Sequence, residues 1–370
     1  MTKVLSVMAA ISKKISPETL IRPEIRALSA YHVPDSRGLI KLDAMENPYS
    51  WPPEVVEEWL VRLREVHLNR YPDPQAAALK DRLRETMAIP PDTGLILGNG
   101  SDELIQLIIL ALAAPGRVVM APEPSFVMYR MISGFTGMKY VGVPLREADF
   151  GLDLAAMLEA VDRHCPAVVF LAYPNNPTGN LFAEDQVRRL IDAAPGLVVV
   201  DEAYFSFASH SFLAALPEYD NLLVMRTVSK IGLAGLRLGF LVGAPVWANE
   251  IEKLRLPYNI NALTQVSAKF ALDQQAVLEK QIQRICESRT ALFEKLSALP
   301  GIVAFPSEAN FILFRAPLGQ GDRLFASLRE AGILIKNLSG ADGLLCDCLR
   351  VTVGTFEENR AFIAALKAAL

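Results

Sequence analysis

The sequence predicts an α/β protein, with a large domain on a mostly parallel mixed sheet and a smaller α+β domain. Three observations predict it. Between residues 95 and 243, short apolar runs alternate with helical stretches, as in a parallel sheet covered on both faces. The residues that could carry chemistry lie just beyond the carboxyl ends of these runs, and open α/β sheets bind ligands along that rim. Beyond residue 252 the texture changes to a long helix followed by strands and helices in alternation. At roughly 150 residues per domain, 370 residues allow about two. We divide the chain into an arm with part of the small domain (1–50), a large domain (51–258) and a small carboxyl-terminal domain (259–370).

Composition excludes several classes. An apolar content of 51% is ample for a large core. With 37 basic against 41 acidic residues, no field exists to gather nucleic acid or an anionic membrane. The cysteines Cys165, Cys286, Cys346 and Cys348 lack paired zinc spacing and are too few for a disulfide scaffold, so no metal is expected and a reducing cytoplasm fits. The residues up to Lys14 lack a secretory pattern, and no export is expected. The most apolar run, 104–114, contains Gln106 and is far shorter than the roughly 20 residues of a membrane span.

Residues 1–50 read as an irregular arm broken by Pro17, Pro23, Pro34 and Pro48, in which Tyr31 and Asn47 either pack and cap turns or reach a ligand. A helix over 53–66 puts Trp59 and Leu63 on one face. Asn69-Arg70-Tyr71-Pro72-Asp73-Pro74 is a turn, because its prolines push the preceding residues away from helix, and it leaves Tyr71 on a loop. A helix over 75–87 follows. Leu95-Ile96-Leu97-Gly98-Asn99-Gly100-Ser101-Asp102 then reads as strand, glycine turn and helix start. Its free backbone N–H groups suit a phosphate, and Ser101 or Asp102 as a simple cap suits it equally well.

The strand 118–121 leads to Phe126, which is either core or a surface on which a flat ring stacks. The strand 167–172 closes in Tyr173-Pro174-Asn175-Asn176-Pro177-Thr178-Gly179, a rigid turn that presents amides. The strand 197–200 runs into Asp201-Glu202-Ala203-Tyr204. Acids at the tip of an apolar strand are costly without partners, which marks Asp201 as functional. Leu222-Leu223-Val224-Met225 leads into Thr227, Ser229, Lys230 and Arg237. A desolvated lysine is a nucleophile that forms a Schiff base with an aldehyde, and two hydroxyls with a guanidinium suit a phosphate monoester. Together they suggest pyridoxal 5'-phosphate. Residues 253–259 form a link and 262–299 a long helix with room for a break. Strands over 310–314, 332–335 and 349–353 and a tail helix over 357–370 complete the chain.

Through these residues the chain resembles the fold-type-I pyridoxal-phosphate aminotransferases, and among them the histidinol-phosphate aminotransferases, over nearly its whole length. The motifs are Ser229-Lys230 with Ala234 to Arg237, Asn175 to Gly179 and Asp201 to Tyr204, in the family's order and spacing. Lys41 to Tyr49, Asn69 to Pro74, Leu97 to Glu103 and Leu349 to Thr355 point to the subfamily. The resemblance implies an aspartate aminotransferase-like fold and a homodimer that transfers an amino group between L-histidinol phosphate and 2-oxoglutarate in L-histidine biosynthesis. An aromatic-amino-acid aminotransferase and a threonine-phosphate decarboxylase share the fold, and a cofactor-sensing regulator would need an appended DNA-binding domain. It further implies Lys230 as the cofactor's imine partner and general base, and Asp201 on the ring nitrogen. Asn176 and Tyr204 would hold the ring's 3-oxygen, and Ser101, Asp102, Thr227, Ser229 and Arg237 the phosphate, which Tyr71 reaches from the partner chain. Arg350 grips the substrate's acidic group, with Tyr31 and Asn47 close by. Two positions depart from the family: Phe126 stands where a stacked tyrosine is common, and Lys336 where some members carry a second arginine.

Overall fold

The computed structural model describes residues 15–30, 33–339 and 343–370. The start of the chain up to Lys14 and Tyr31 lie outside the described residues. Residues up to Asp35 form a unit of their own. It contains the short helices Pro17–Leu20 and Pro23–Arg26, where an irregular arm was expected.

Among the described residues, the rest of the chain carries twelve strands: β1 (Ile40–Leu42), β2 (Gly94–Gly98), β3 (Val118–Glu123), β4 (Lys139–Pro144), β5 (Val168–Ala172), β6 (Leu197–Asp201), β7 (Leu222–Thr227), β8 (Gly239–Gly243), β9 (Val303–Ala304), β10 (Phe311–Arg315), β11 (Ile333–Asn337) and β12 (Cys348–Thr352). Seven form a sheet in the order β2-β8-β7-β6-β5-β3-β4. All its pairings are parallel except those of β8, which runs antiparallel to both β2 and β7.

The apolar strands follow from burial on two faces. Val198 and Val200 of β6 and Leu222 and Val224 of β7 join one core cluster, while Leu197, Val199, Leu223 and Met225 join another. Successive side chains of a strand point to opposite faces, so a strand covered on both sides is apolar throughout. The C-terminal ends of β2, β3, β5, β6 and β7 consequently open on one rim.

The remaining five strands form a second sheet in the order β1-β11-β12-β10-β9. The expected arm thus contributes a strand: Ile40, Lys41 and Leu42 pair in parallel with Ile333, Leu334 and Ile335. Phe311, Ile312, Phe314, Leu349 and Val351 fill this sheet's core with Leu292 and Leu296. Those leucines lie on the helix Gln275–Ser297, which is separated from Ala262–Asp273 by Gln274, where ψ of 36° leaves the helical range. The helix Phe356–Ala369 starts with a capping box, Thr355 accepting from the Glu358 N–H and Glu358 from the Thr355 N–H.

Candidate active site

A cavity with about 550 Å³ of empty space, part of it open to solvent, lies on the rim of the seven-stranded sheet. It is lined by residues at or near strand ends, and the local sequence explains why they converge.

After β2 the chain turns through Gly100, whose φ of +85° favours glycine, into the helix Ser101–Leu112. A Cβ added at Gly100 would meet the Arg237 guanidinium at 2.6 Å, and one at Gly239 of β8 would meet Ser101 N at 2.8 Å. Two glycines therefore let Arg237 and β8 close on the helix N-terminus, where unpaired N–H groups and the helix dipole favour an anion. Thr227 Oγ1 accepts from the Ser229 N–H at 3.1 Å and donates to the Leu238 carbonyl at 3.0 Å, which fixes the turn after β7. Ser101, Asp102, Thr227, Ser229 and Arg237 all line the cavity. The Asp102 carboxylate sits 3.5 Å from Arg237, so its backbone N–H rather than its side chain is suited to an anion.

The turn after β5 is tied to the turn after β3. Asn175 Nδ2 donates to the Pro124 carbonyl at 2.9 Å, and Ser125 Oγ donates to Asn175 Oδ1 at 2.8 Å. Asn176 is held at both ends, its Nδ2 donating to the Tyr204 hydroxyl at 3.2 Å and its Oδ1 accepting from Arg350 Nη1. Phe126 lines the same cavity, so the choice between core and ring surface falls to the cavity wall.

Asp201, at the tip of β6, is 3% exposed. Burial raises its carboxyl to about 6, opposed by hydrogen bonds from the Tyr129 hydroxyl (2.7 Å) and the Ala203 N–H (3.1 Å). Burial also raises the Tyr204 phenol above its usual range. Glu202 turns away from the cavity into a buried ion pair with Arg226 at 2.8 Å, completed by Ser211 and the Phe212 N–H. Of the acidic pair, only Asp201 lines the cavity.

Lys230 follows Ser229 in a short 3₁₀ turn and points its amine towards the Ala44 carbonyl at 3.4 Å. Its side chain keeps some surface on the cavity, yet burial is the main cause lowering its pKa to about 8, with the Arg350 charge second. Arg350, on β12, is itself buried and also donates to the Asp43 carbonyl at 3.0 Å. Lys336 is its direct antiparallel partner on β11, which places both side chains on one face of the sheet.

The cavity thus gathers Ser101, Asp102, Phe126, Asn176, Asp201, Tyr204, Thr227, Ser229, Lys230 and Arg237. Four expected residues are not in its lining: Arg350, which reaches it through Asn176, Lys336 opposite Arg350 on β11, and Tyr71 and Asn47. Tyr71 is 80% exposed and stacks on Tyr258 with ring centroids 4.5 Å apart. Asn47 donates to the Ile231 carbonyl and to Gln281, and so braces the loop after Lys230 instead of lining the cavity. Met45, Tyr129 and the Glu202–Arg226 pair escaped the sequence reading. A helical tyrosine reads as core, and nothing local says which acid of a pair finds a cation. Among the described residues, no group of His, Cys, Asp and Glu could hold a metal, and no helix is long and apolar enough to cross a membrane.

The sequence profile of aminotransferase class I and II matches residues 37–366. Histidinol-phosphate aminotransferase 2 of Nitrosococcus oceani is 62% identical over 348 residues, 94% of this chain and 96% of that protein. Histidinol-phosphate aminotransferase of Chromobacterium violaceum is 54% identical, covering 96% of this chain and 99% of its own length. The crystal structure of histidinol-phosphate aminotransferase from Sinorhizobium meliloti in complex with pyridoxal-5'-phosphate superposes with a TM-score of 0.84 over 98% of both chains, at 24% identity, a likeness of fold.

Proposed function

The chain belongs to the class I and II aminotransferases and, within them, to the histidinol-phosphate aminotransferases, and from that premise we propose that it transfers an amino group between L-histidinol phosphate and 2-oxoglutarate in L-histidine biosynthesis. Its cofactor is pyridoxal 5'-phosphate. The observation that carries the chemistry is the meeting, in one cavity, of a lysine amine lowered to about 8 and a buried carboxylate.

The donor set fits that group. Ser101, Thr227, Ser229 and Arg237, with the N–H groups opened by Gly100 and Gly239, would hold a phosphate monoester, while Phe126 offers a ring surface. Asn176 and Tyr204, already hydrogen-bonded, would hold a ring oxygen. Asp201 would hold a ring N–H and keep its proton in place. When bound, the group supplies an electron sink for the pair left behind as the substrate's α-proton departs.

The chain's own residues do the rest. Lys230 Nζ takes the α-proton and returns it, one amine serving as attachment point and general base. Arg350, whose planar fork suits carboxylate or phosphate, orients the substrate's acidic group, with Lys336 on the same face of the sheet as a less directional cation. Asn47 supports the lysine loop from behind.

The division into large and small domains at residues 51–258 and 259–370, with residues 1–50 feeding the small one, accompanies this reading, as does a cytoplasmic location. So does a homodimer in which Tyr71 serves the partner's cavity. Its 80% exposure, on the same turn as exposed Leu68, supports that assignment. Mixing inactive Lys230→Ala with impaired Tyr71→Ala protein then restores one complete site per mixed dimer, and activity rises above that of Tyr71→Ala alone. No rise after complete subunit exchange would remove Tyr71 from the shared site.

Substrate choice is tested by kcat/KM for histidinol phosphate against phenylalanine and threonine phosphate. Because a site built for polar groups rejects analogues that lack them, we expect a preference of at least about a hundredfold over phenylalanine, and no carbon dioxide from threonine phosphate. Equal values would favour the aromatic-amino-acid aminotransferase, and decarboxylation the third reading.

A further inference from the structure

The geometry around Asp201 points to an additional positioning residue: we propose that Tyr129 orients the Asp201 carboxylate and keeps it ionised, and so sets the pH range over which the cavity holds its cofactor. The proposal rests on the pyridoxal-phosphate reading of the cavity and concerns a residue that does not line it.

Tyr129 belongs to the helix Met128–Thr136 and is wholly buried. Its ring cannot swing. It stacks on Phe170 of β5 with centroids 4.7 Å apart and planes at 15°, and meets Phe126 edge-on at 5.6 Å. Those contacts aim its hydroxyl at Asp201 Oδ2, 2.7 Å away, while Oδ1 accepts from the Ala203 N–H at 3.1 Å. Each carboxylate oxygen therefore has one fixed donor behind it, which fixes the plane of the carboxylate and leaves its remaining lone pairs for the cavity that Asp201 lines. The same tyrosine also braces Phe126, another wall of that cavity.

The direction of the hydrogen bond is fixed as well. Burial and the neighbouring Asp201 charge hold the Tyr129 phenol well above its usual range, so it remains a donor at any working pH. Asp201 stands in the opposite situation. Burial favours its neutral form, and the negative charges of Asp102 and Glu202 push the same way. Tyr204 faces it as a buried phenol, and Lys230 and Arg237 are the cations that line the same cavity. The two hydrogen bonds are what oppose protonation, with Tyr129 the larger of the two. Without that hydroxyl, Asp201 gains its proton at a higher pH. A neutral carboxyl attracts a ring N–H⁺ less than a carboxylate does, so cofactor affinity would fall over the interval between the old and new pKa values.

Tyr129→Phe keeps both ring contacts and removes only the hydroxyl. The test measures the dissociation constant of pyridoxal 5'-phosphate from wild-type and variant apoprotein at pH 6.5 and pH 8.5, together with the pH profile of kcat/KM. We expect the variant to bind at least about threefold more weakly at the lower pH, with the gap closing at the higher one and the acidic limb of the profile moved upward, since hydrogen bonds to charged groups are worth about a pKa unit or more. A merely structural tyrosine would weaken binding equally at both pH values. Should Tyr129→Phe fail to fold, the pair Asp201→Asn and Asp201→Asn/Tyr129→Phe decides the matter. With the charge gone, the second change should leave cofactor affinity nearly unaltered, and a loss of about threefold or more there overturns the proposal. Equal affinity of wild type and Tyr129→Phe at both pH values, or a loss independent of pH, also overturns it. Wild-type protein that binds no cofactor at all would instead remove the reading on which the proposal rests.

Discussion

Lys230→Ala lowers amino transfer by at least about 10³-fold while the thermal midpoint stays close to that of the wild type. The size follows from the two tasks assigned to one amine, since general acid–base catalysis alone is worth about 10²–10⁴-fold. The fold survives because the amine's hydrogen bond, 3.4 Å to the Ala44 carbonyl, is long and its loss exposes no buried donor. The pH dependence carries the same signature. Burial first and the Arg350 charge second lower the Lys230 pKa to about 8, so the free amine loses its proton as pH rises through that value, well below the usual lysine range. The rate at which unliganded protein captures the cofactor should rise over the same interval. Turnover by Lys230→Ala within tenfold of the wild type, or a capture rate that is flat between pH 7 and pH 9, would remove Lys230 from both roles.

The second large effect is on stability. Arg226 and Glu202 are almost wholly buried, and their ion pair joins the residues next to Thr227 and Asp201 on adjacent strands, with the Arg226 guanidinium 4.2 Å over the Phe205 ring. Replacing Arg226 by leucine leaves the Glu202 carboxylate buried with only Ser211 and the Phe212 N–H, and removing one partner of such a pair costs about 3–5 kcal/mol. The exposed pair Arg163–Glu159, one helical turn apart, provides the contrast, because Arg163→Ala should cost under about 0.5 kcal/mol. Thermal unfolding of both variants tests the difference. If Arg226→Leu unfolds as late as Arg163→Ala, the buried pair is not what clamps β6 to β7. The leucine variant should also bind the cofactor more weakly, since the clamp sits directly behind Asp201 and Thr227.

Much of the site was legible because the residues after β2, β3, β5, β6 and β7 are fixed by strand ends, and strand ends are marked by apolar runs that give way to turn-forming or polar residues. The direction of a strand is not written in such a run. β8 therefore supplies the antiparallel part of the mixed sheet, which the alternation of elements could not assign to a particular strand. β4 was missed because five of its six residues are only partly covered or exposed, and the strand lacks a continuous apolar core. Pairing across nearly the whole chain, as between Lys41 and Leu334, leaves no local trace, which is why a strand was hidden in the arm. Chemistry that depends on partners was equally hidden. Nothing beside Glu202 distinguishes it from Asp201, and only the fold brings Arg226 to one and Tyr129 to the other.

The central claim is that the lysine amine at the end of the β7 turn attaches pyridoxal 5'-phosphate. The most direct measurement is reduction of the cofactor-loaded protein with borohydride, followed by proteolysis and mass mapping of the labelled peptide. The account predicts a label confined to Lys230 and absent from Lys230→Ala. A label on any other lysine, or wild-type protein that takes none, would contradict it.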